Sequence, residues 1–340
     1  MGNSNEHPVL VTGATGFVGA WIVRDLLEAG HRVHATVRDL SRSKRLRPLE
    51  DFAADSPGTL EWFQADLTRP GSFRRALSGC RRVIHVASPF LLSAGNPKRD
   101  LWKPAVEGTR TLLTDVNASD SVERVVITSS VAAMAGDNAD FSGPLTPDDW
   151  NTSSTLDHQP YAFSKVEAER LAWEMASEQA RWSLATINPS LVLGPGFAGA
   201  TESGSFELIS NLMSGRFAMG VPHFPIGTVD VRDVAAAHIA AAFSTASGRF
   251  IAHSQTMTLA DMARILLEQR PDLPLSARTL PTWLLWLVGP AADPSLTRRM
   301  IRRNFGHPFD ADTSQTRAQL GVAFRDTRGA LAAMAQQLTR

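Results

Sequence analysis

The chain has 340 residues, of which 43% are hydrophobic, so it can bury a large core as one α/β unit or as two interlocked domains. Lysine plus arginine and aspartate plus glutamate number 34 each, which gives no overall field that favours nucleic acid or an acidic membrane. The single cysteine, Cys80, excludes an internal disulfide and a multi-cysteine metal site, and we expect it to be a small buried residue. A reducing, cytoplasmic environment fits this cysteine content.

Neither end of the chain predicts a membrane segment. The N-terminal residues lack a basic region followed by a long apolar run, so no secretory signal is expected. Residues 280–292 are the most apolar C-terminal stretch, but prolines interrupt them and they are shorter than the roughly 20 residues that span a bilayer. We interpret Trp283, Leu284 and Trp286 as a buried helix face, with an interfacial anchor as the alternative. The prediction is a soluble monomer or homodimer with no membrane or nucleic-acid partner.

Short β-branched runs alternate with helical stretches over the first 195 residues. In chain order the apolar runs are 9–13, 32–38, 60–67, 82–89, 124–130 and 182–195. Helical patterns cover 16–30 and 104–119, and another helix begins near Pro160, a residue suited to the first helical position. Continuous apolar strands joined by helices predict a parallel sheet covered on both faces. The expected fold class is α/β, with a Rossmann-type doubly wound parallel sheet.

The pattern changes beyond residue 195. A glycine-rich loop is followed by a helix at 205–216, a segment through 229–244, a strand at 249–254 and a mostly helical remainder. We infer a smaller, discontinuous, mostly helical substrate domain. The predicted division is 1–193 and 227–254 for nucleotide binding, and 194–226 and 255–340 for substrate binding.

The first strand runs directly into a glycine motif with Gly13, Gly16 and Gly19 spaced three apart. Glycines at a strand-to-helix turn let backbone N–H groups approach a pyrophosphate, and the helix N-terminus adds partial positive charge. A tight turn without a ligand is the alternative, but the position after the first strand favours a dinucleotide. The motif also contains the predicted cofactor contacts Thr15, Phe17 and Val18.

The end of the second strand indicates which dinucleotide binds. A carboxylate there would suit the ribose 2′-hydroxyl of NAD, whereas Arg38 ends this strand, with Arg42 and Lys44 close behind. NADPH is therefore the expected cofactor, although Asp39 follows at once and a solvated basic loop is the alternative. After the third strand, Asp66 is a candidate contact to the adenine amino group or an ordinary capping residue.

Tyr161 is the only tyrosine in the chain, and Lys165 follows it at the i, i+4 spacing that puts both side chains on one helix face. A nearby ammonium stabilises phenolate, so we expect a lowered Tyr161 pKa and a phenol able to exchange its proton with a carbonyl oxygen. By itself the pair is also compatible with a helix surface. The strand at 124–130 ends in two hydroxyls at the sheet edge where ligands bind, and Ser130 is our first choice and Ser129 the second for orienting the carbonyl.

The motifs VIHVASP, PAVEGT, VVITSS, YAFSK, INPSLVLGP and VDVRDVAAAH follow the glycine turn in the order found in extended short-chain dehydrogenase/reductases. Over residues 8–255 the chain most resembles the branch of dihydroflavonol reductases, cinnamoyl-CoA reductases and fungal aldehyde reductases. The resemblance implies that Ser130 polarises the carbonyl, that Tyr161 donates the proton, and that Lys165 tunes Tyr161 and holds the nicotinamide ribose. It also implies cofactor contacts from Leu67, Val86, Ala87, Ser88, Pro189 and Ser190.

Departures from this branch bear on the substrate. Ala135 stands where dihydroflavonol reductases carry an asparagine that contacts the flavonoid, and the Trp-Tyr-Cys cluster of cinnamoyl-CoA reductases is missing before Lys165, so neither substrate class is favoured. Ala105 stands where the extended family more generally has an asparagine, but this branch often has the same replacement, so it carries little weight. The expected substrate is a neutral aldehyde or ketone in an apolar cleft. Its candidate walls are Phe90, Met134, Ala135, Phe197 and Phe206, with ordinary core packing as the alternative for each.

The main hypothesis is a reversible NADPH-dependent carbonyl reductase. A nucleotide-sugar epimerase or dehydratase is the first alternative, but such enzymes need cations around a diphosphate, and residues 196–225 offer only Arg216. The second alternative is a redox-sensing regulator that binds NADP without chemistry. Such a regulator can dispense with the Tyr161 and Lys165 pair, which this chain retains.

Overall fold

The computed structural model describes residues 6–87, 95–292 and 296–339. The strands in chain order are β1 Val9–Thr12, β2 Arg32–Val37, β3 Thr59–Gln64, β4 Arg82–His85, β5 Arg124–Thr128, β6 Ser183–Pro189, β7 Leu191–Leu193, β8 Val221–Pro222, β9 Pro225–Asp230, β10 Gly248–Ala252, β11 Gln255–Thr258 and β12 Thr279–Leu280. The α-helices are α1 Phe17–Glu28, α2 Ser43–Ala54, α3 Lys103–Asn117, α4 Pro160–Ser177, α5 Gly204–Met213, α6 Val231–Phe243, α7 Leu259–Gln269, α8 Thr282–Ala292, α9 Arg298–Asn304, α10 Ser314–Leu320 and α11 Arg328–Leu338.

Seven parallel strands form the main sheet in the order β3-β2-β1-β4-β5-β6-β10. The chain builds outward from β1 in one direction as far as β3 and then returns to add β4 on the other side of β1. This reversal opens a crevice at the carboxyl ends of β1 and β4, where ligands of doubly wound sheets bind. The predicted Rossmann-type fold is confirmed.

Side chains of β1 alternate between the two faces of the sheet, and each face carries its own core. Val9 and Val11 pack with apolar residues of α1 and α6, whereas Leu10 packs with apolar residues of α3 and α4. Strands buried on both faces lose the alternation of polar and apolar residues, which is why β1 is entirely apolar before Thr12. Cys80 is fully buried in the second core, as its isolation in the sequence led us to expect.

A smaller layer covers the carboxyl end of the main sheet. It contains a three-stranded sheet in the order β11-β9-β7 and a two-stranded pair of β8 and β12. Apolar residues of α5, α7 and α11 form a further core, which Phe17 of α1 joins. The exact division of the chain into two domains stays a prediction.

Two elements differ from the sequence-based expectation. Part of the basic segment after β2 is helical, because α2 begins at Ser43. The buried side chains of α2 are Leu46 and Leu49, which are too few to reveal a helical period in the sequence. The interpretation of residues 283–286 as a buried face is wrong, because Trp283 is 66% and Trp286 is 42% exposed. Instead, Leu285 faces inward against α9. The run is apolar on all sides, so its period could not select the buried face.

Within the described ranges, no helix combines the length and the apolar character needed to cross a bilayer.

Candidate active site

The glycine motif forms a closed turn between β1 and α1. Gly13 has a φ of +68°, and a Cβ atom added there would lie 2.8 Å from the backbone nitrogen of Ala87. A Cβ at Gly19 would lie 2.1 Å from the carbonyl oxygen of Gly13. Gly16 is the N-cap of α1, so no side chain covers the first N–H groups of the helix. These features fit a cradle in which backbone N–H groups bind a pyrophosphate.

A buried histidine joins the strands on either side of the crevice. His85 Nδ1 lies 2.7 Å from Thr12 Oγ1, which also accepts a hydrogen bond of 3.2 Å from the backbone N–H of Ala87. Burial, together with the positive charge of Lys165, lowers the pKa of His85 to about 3. His85 is therefore neutral at physiological pH and fixes the ends of β1 and β4 relative to each other.

The residues expected to select the cofactor lie at the end of β2. Arg38 and Lys44 are exposed and able to reach a ligand. The carboxylate of Asp39 is engaged by Ser41, whose backbone N–H and hydroxyl donate to it at 2.9 and 2.6 Å, and Arg42 lies 3.6 Å away. Asp39 is thus held within its own turn, which weakens the case for a carboxylate that meets a ribose hydroxyl.

Asp66 lies in a similar local turn after β3. One carboxylate oxygen accepts hydrogen bonds of 2.8 Å from the backbone N–H and from the hydroxyl of Thr68. The Thr68 N–H is the main cause of a lowered Asp66 pKa. Capping therefore occupies one oxygen, and a contact to adenine stays a prediction. Leu67 next to it packs over Gly108 of α3.

The two serines after β5 have different side-chain partners. The Ser130 side chain is hydrogen-bonded to that of Tyr161, whereas the Ser129 hydroxyl donates to the buried carboxylate of Glu169. Successive residues in extended backbone point to opposite sides, so only one of the pair can face the phenol. Ser130 also caps the short 3₁₀ turn Val131–Ala133 by accepting from Ala132 N–H at 3.1 Å.

Lys165 lies one turn after Tyr161 on α4, with its Nζ 5.9 Å from the centre of the phenol ring. The expectation of a lowered Tyr161 pKa is wrong for this structure: burial raises the pKa to about 12, and the Ser130 hydrogen bond opposes the rise only partly. Burial also lowers the pKa of Lys165 to about 8, against the charge of Glu169. Removing each group from water disfavours its charged form, and this effect outweighs the Ser130 hydrogen bond at Tyr161 and the Glu169 charge at Lys165.

Glu169 is a site residue that the sequence-based reasoning missed. The residue is 2% exposed, and its carboxylate accepts hydrogen bonds from Arg249 Nε at 2.6 Å, Asn188 Nδ2 at 2.8 Å and Thr186 Oγ1 at 3.1 Å. It also borders a cavity of about 20 Å³ together with Lys165, Ser129, His85 and Ala105, room for about one water molecule. The signal was present, because Tyr161, Lys165 and Glu169 repeat at i, i+4 and i+8 on one helix face.

The remaining predicted cofactor residues lie along the carboxyl edge of the sheet. Val86 and Ala87 follow β4 and are half-buried, and Pro189 and Ser190 follow one another at the end of β6, where both are buried. The Ser190 backbone N–H donates to the Ala252 carbonyl at 3.0 Å, which ties this position to β10. Ser88 lies outside the described residues.

The candidate substrate walls within the described residues do not come together as one surface. Met134 and Ala135 are buried in a cluster with Leu145 and Ile251, and Met134 exposes none of its surface, so in this structure it is a core residue. Phe206 is also buried, since its ring meets that of Phe17 edge to face at 5.2 Å.

Phe197 is half-buried against α1 and α2, with ring centres 5.5 Å from Trp21 and 5.3 Å from Phe52. The sequence around an aromatic residue does not reveal which helix it packs against. Here Phe197 and Phe206 both pack against aromatic residues of α1. Phe90 lies outside the described residues.

Comparisons with known proteins agree with this geometry. The family model described as the NAD dependent epimerase/dehydratase family matches residues 9–250. Cinnamoyl-CoA reductase CAD2 of Medicago truncatula is 37% identical over 286 residues, which are 81% of this chain and 85% of that protein. Dihydroflavonol 4-reductase of Hordeum vulgare is 33% identical over 287 residues, 79% of this chain and 77% of that protein.

Among solved structures, yeast methylglyoxal/isovaleraldehyde reductase Gre2 complexed with NADPH superimposes with a TM-score of 0.80 at 27% identity. The match covers 97% of this chain and 98% of that chain. It extends the similarity through the C-terminal part, where the sequence motifs are weak. The family model and the relatives thus show that the chain belongs to the NAD dependent epimerase/dehydratase family, the extended short-chain dehydrogenase/reductases.

Proposed function

We propose that this NADP-dependent oxidoreductase reduces the carbonyl group of a neutral aldehyde or ketone to an alcohol, reversibly, through Ser130, Tyr161 and Lys165. The observation that carries the proposal is the hydrogen-bonded pair of Ser130 and Tyr161 hydroxyls beside a buried ammonium. Ser130 follows β5, the neighbour of β4, whose carboxyl end borders the crevice, and Tyr161 lies in the first turn of α4. A carbonyl oxygen that meets both hydroxyls would receive a hydrogen bond from each.

NADPH would be held by the glycine turn, by Arg38 and Lys44 at the 2′-phosphate, and by Lys165 at the nicotinamide ribose. When bound, its reduced nicotinamide supplies the hydride. Ser41 and Arg42 engage the Asp39 carboxylate, so it is not left to accept from a ribose 2′-hydroxyl as in NAD binding, and this supports the phosphate-bearing cofactor.

The protonation states suit reduction. With a pKa of about 12, Tyr161 carries its proton at neutral pH and donates it as negative charge develops on the carbonyl oxygen. Lys165, with a pKa of about 8, is still mostly protonated at neutral pH and offsets the charge of the phenolate that is left. The reverse oxidation needs the phenolate first and is therefore favoured at alkaline pH.

Two features of the chain bear on the substrate class. Ala135 presents a methyl group in a buried position, and residues 196–225 contain only Arg216 as a lysine or arginine. These features support neutral aldehydes or ketones over nucleotide sugars, whose diphosphates require several cations.

The test is a spectrophotometric screen of NADPH oxidation against aliphatic aldehydes, aromatic aldehydes and keto esters. We expect net NADPH consumption, and we expect Tyr161→Phe to lower kcat by about 10²- to 10⁴-fold with NADPH binding retained. Ser130→Ala should cost more activity than Ser129→Ala, since only Ser130 meets Tyr161.

Two outcomes would contradict the proposal. NADPH binding without turnover across the panel, with no effect of Tyr161→Phe, would favour a regulator. Conversion of a nucleotide sugar without net NADPH consumption would favour an epimerase or dehydratase.

A further inference from the structure

A buried carboxylate lies at the start of the helix that carries Tyr161. Asp137 is 0% exposed, and four side chains converge on it. The donors are Asn304 Nδ2 at 2.6 Å, Gln159 Nε2 at 2.7 Å, His158 Nε2 at 3.0 Å and Arg303 Nε at 3.3 Å. We call Asp137 and these four partners the Asp137 network. This network connects the two residues just before α4 with helix α9, which belongs to the C-terminal part of the chain.

Gln159 has an unusual backbone. Its φ of 57° and ψ of 56° are left-handed, and over the described ranges it is the one residue other than glycine with a positive φ. It immediately precedes Pro160, the first residue of α4, and stands two residues before Tyr161. Residues other than glycine, asparagine and aspartate adopt this conformation only with backbone strain, and such strained residues cluster at functional sites.

The Gln159 side chain is held at both ends of its amide. Its Nε2 donates to Asp137, and its Oε1 accepts from Ser154 Oγ at 3.1 Å. These bonds fix the left-handed residue and offset part of its backbone cost. The first turn of α4, and with it the direction of the Tyr161 side chain, starts from this fixed point.

The same set of bonds extends to the segment that follows Ser130. Asn151 Nδ2 donates to Ser154 Oγ at 2.8 Å and to the carbonyl of Ala132 at 2.8 Å, and the backbone N–H of Asn151 donates to the Ala133 carbonyl at 3.1 Å. The segments that carry the two hydroxyls of the site are therefore joined through buried polar side chains as well as by the direct bond of Ser130 to Tyr161.

From this geometry we propose that Asp137 and Gln159 are positioning residues that set the first turn of α4 so that the Tyr161 hydroxyl meets Ser130. The inference deepens the proposed function and rests on it for the role of Tyr161. A displacement of about 1 Å in a reacting group costs about 10²-fold in rate, so a small loss of order at residue 159 is enough to affect catalysis.

Two variants test the proposal. Gln159→Gly keeps a left-handed backbone without strain and removes only the side-chain bonds, so the protein should fold. Asp137→Asn replaces one acceptor oxygen by a donor that faces the other donors. We expect each to lower kcat by about 10-fold or more, with a smaller change in the KM for NADPH.

A matched control comes from Asp115. It is also buried, at 1% exposure, and is paired with Arg74 at 3.3 Å, but it lies on α3 away from α4's first turn and caps Phe73 N–H at 3.1 Å. Asp115→Asn should lower Tm by a few degrees, roughly as expected for one lost buried hydrogen bond, and leave kcat unchanged.

A spectroscopic readout separates positioning from folding and from activity. Since Tyr161 is the only tyrosine, labelling with [ring-13C]tyrosine gives the NMR signals of this residue alone. The hydroxyl-bearing carbon should shift or broaden in Gln159→Gly and Asp137→Asn and should match the wild type in Asp115→Asn. If Asp137→Asn does not fold, Gln159→Gly decides the matter.

The proposal is overturned if Gln159→Gly keeps both the wild-type kcat and the wild-type tyrosine signal. It is also overturned if Asp137→Asn, folded, behaves like the Asp115 control. Failure of the proposed function is a separate result: the wild type would then reduce no carbonyl compound, while the tyrosine signal would still report whether the network orders Tyr161.

Discussion

One step along the chain separates two roles at the end of β5. Ser130 faces Tyr161, whereas Ser129 donates to Glu169 and helps to fix α4 against the sheet. The sequence offers two adjacent hydroxyls, and nothing local in it explains why Ser130 rather than Ser129 faces the phenol. The alternation of extended backbone makes the choice, because a residue and its successor face opposite sides.

Cofactor preference is also decided by single residues, and Arg38 is the one to test. Arg38→Ala should raise the Kd for NADPH roughly 10- to 100-fold, as expected for a lost charge-assisted hydrogen bond, and should change the Kd for NADH much less. Fluorescence titration with both cofactors measures this directly.

The matched control is Arg32→Ala. Arg32 is also an exposed arginine, but it begins β2, whereas Arg38 follows the last residue of that strand, so the two lie at opposite ends of β2. It should leave both affinities unchanged. Equal losses for NADPH and NADH in Arg38→Ala would remove Arg38 from the 2′-phosphate site.

At the level of elements, α4 carries the site on one face and anchors it with Glu169. The carboxylate is ion-paired with Arg249 of β10 at 2.6 Å, and the Arg249 guanidinium lies 3.9 Å from the centre of the Trp150 ring. The pair thus fixes the helix to the strand at the edge of the main sheet. It also places a negative charge near Lys165, which favours the ammonium form.

Glu169→Gln should therefore have two effects. Leaving Arg249 buried without its counter-charge should lower the free energy of unfolding by about 3–5 kcal/mol. Loss of the carboxylate should also lower the pKa of Lys165 further, so any limb of the pH–rate profile that follows this ammonium moves to lower pH. Chemical denaturation and pH–rate profiles measure the two effects.

Glu167→Gln on the same helix is the control, since Glu167 is partly exposed and lies 3.9 Å from Arg170 in a surface pair. Such pairs contribute about 0–1 kcal/mol, so little change is expected. If Glu169→Gln leaves both stability and the pH–rate profile at wild-type values, Glu169 has no anchoring role.

The sequence predicted most of the elements that form the site. The strands of the main sheet, the glycine turn and the start of α4 at Pro160 lie within a few residues of their expected bounds, because periodicity and capping are local properties. The Tyr161 pKa, the Glu169 contacts and the left-handed Gln159 depend on residues far apart in the chain. Local sequence patterns do not show which residues distant elements will bury. The Glu169 contacts and the Gln159 conformation were therefore missed, and the shift of the Tyr161 pKa was predicted in the wrong direction.

On the scale of the whole molecule, the layers place neutral histidines in the core. His238 of α6 is fully buried between this helix and β5. Its Nδ1 donates to the Val234 carbonyl at 2.7 Å, so its Nε2 must accept from Thr128 Oγ1, also at 2.7 Å. Burial lowers the pKa of His238 to about 4 from an ordinary value of 6.5.

This shift makes the folded protein sensitive to acid. Between pH 6.5 and about 4 the unfolded chain binds a proton at residue 238 that the folded chain does not. The contribution of neutral His238 to the free energy of unfolding is therefore fully present above pH 6.5 and is lost as the pH falls towards 4. A shift of this size corresponds to about 3 kcal/mol.

His238→Gln, which cannot titrate, should flatten the fall in unfolding free energy between pH 7 and 4 by about that amount. His223→Gln is the control, since His223 is exposed and folding removes little of its hydration. Urea denaturation at a series of pH values gives the comparison, and parallel curves for wild type and His238→Gln would show that acid acts elsewhere.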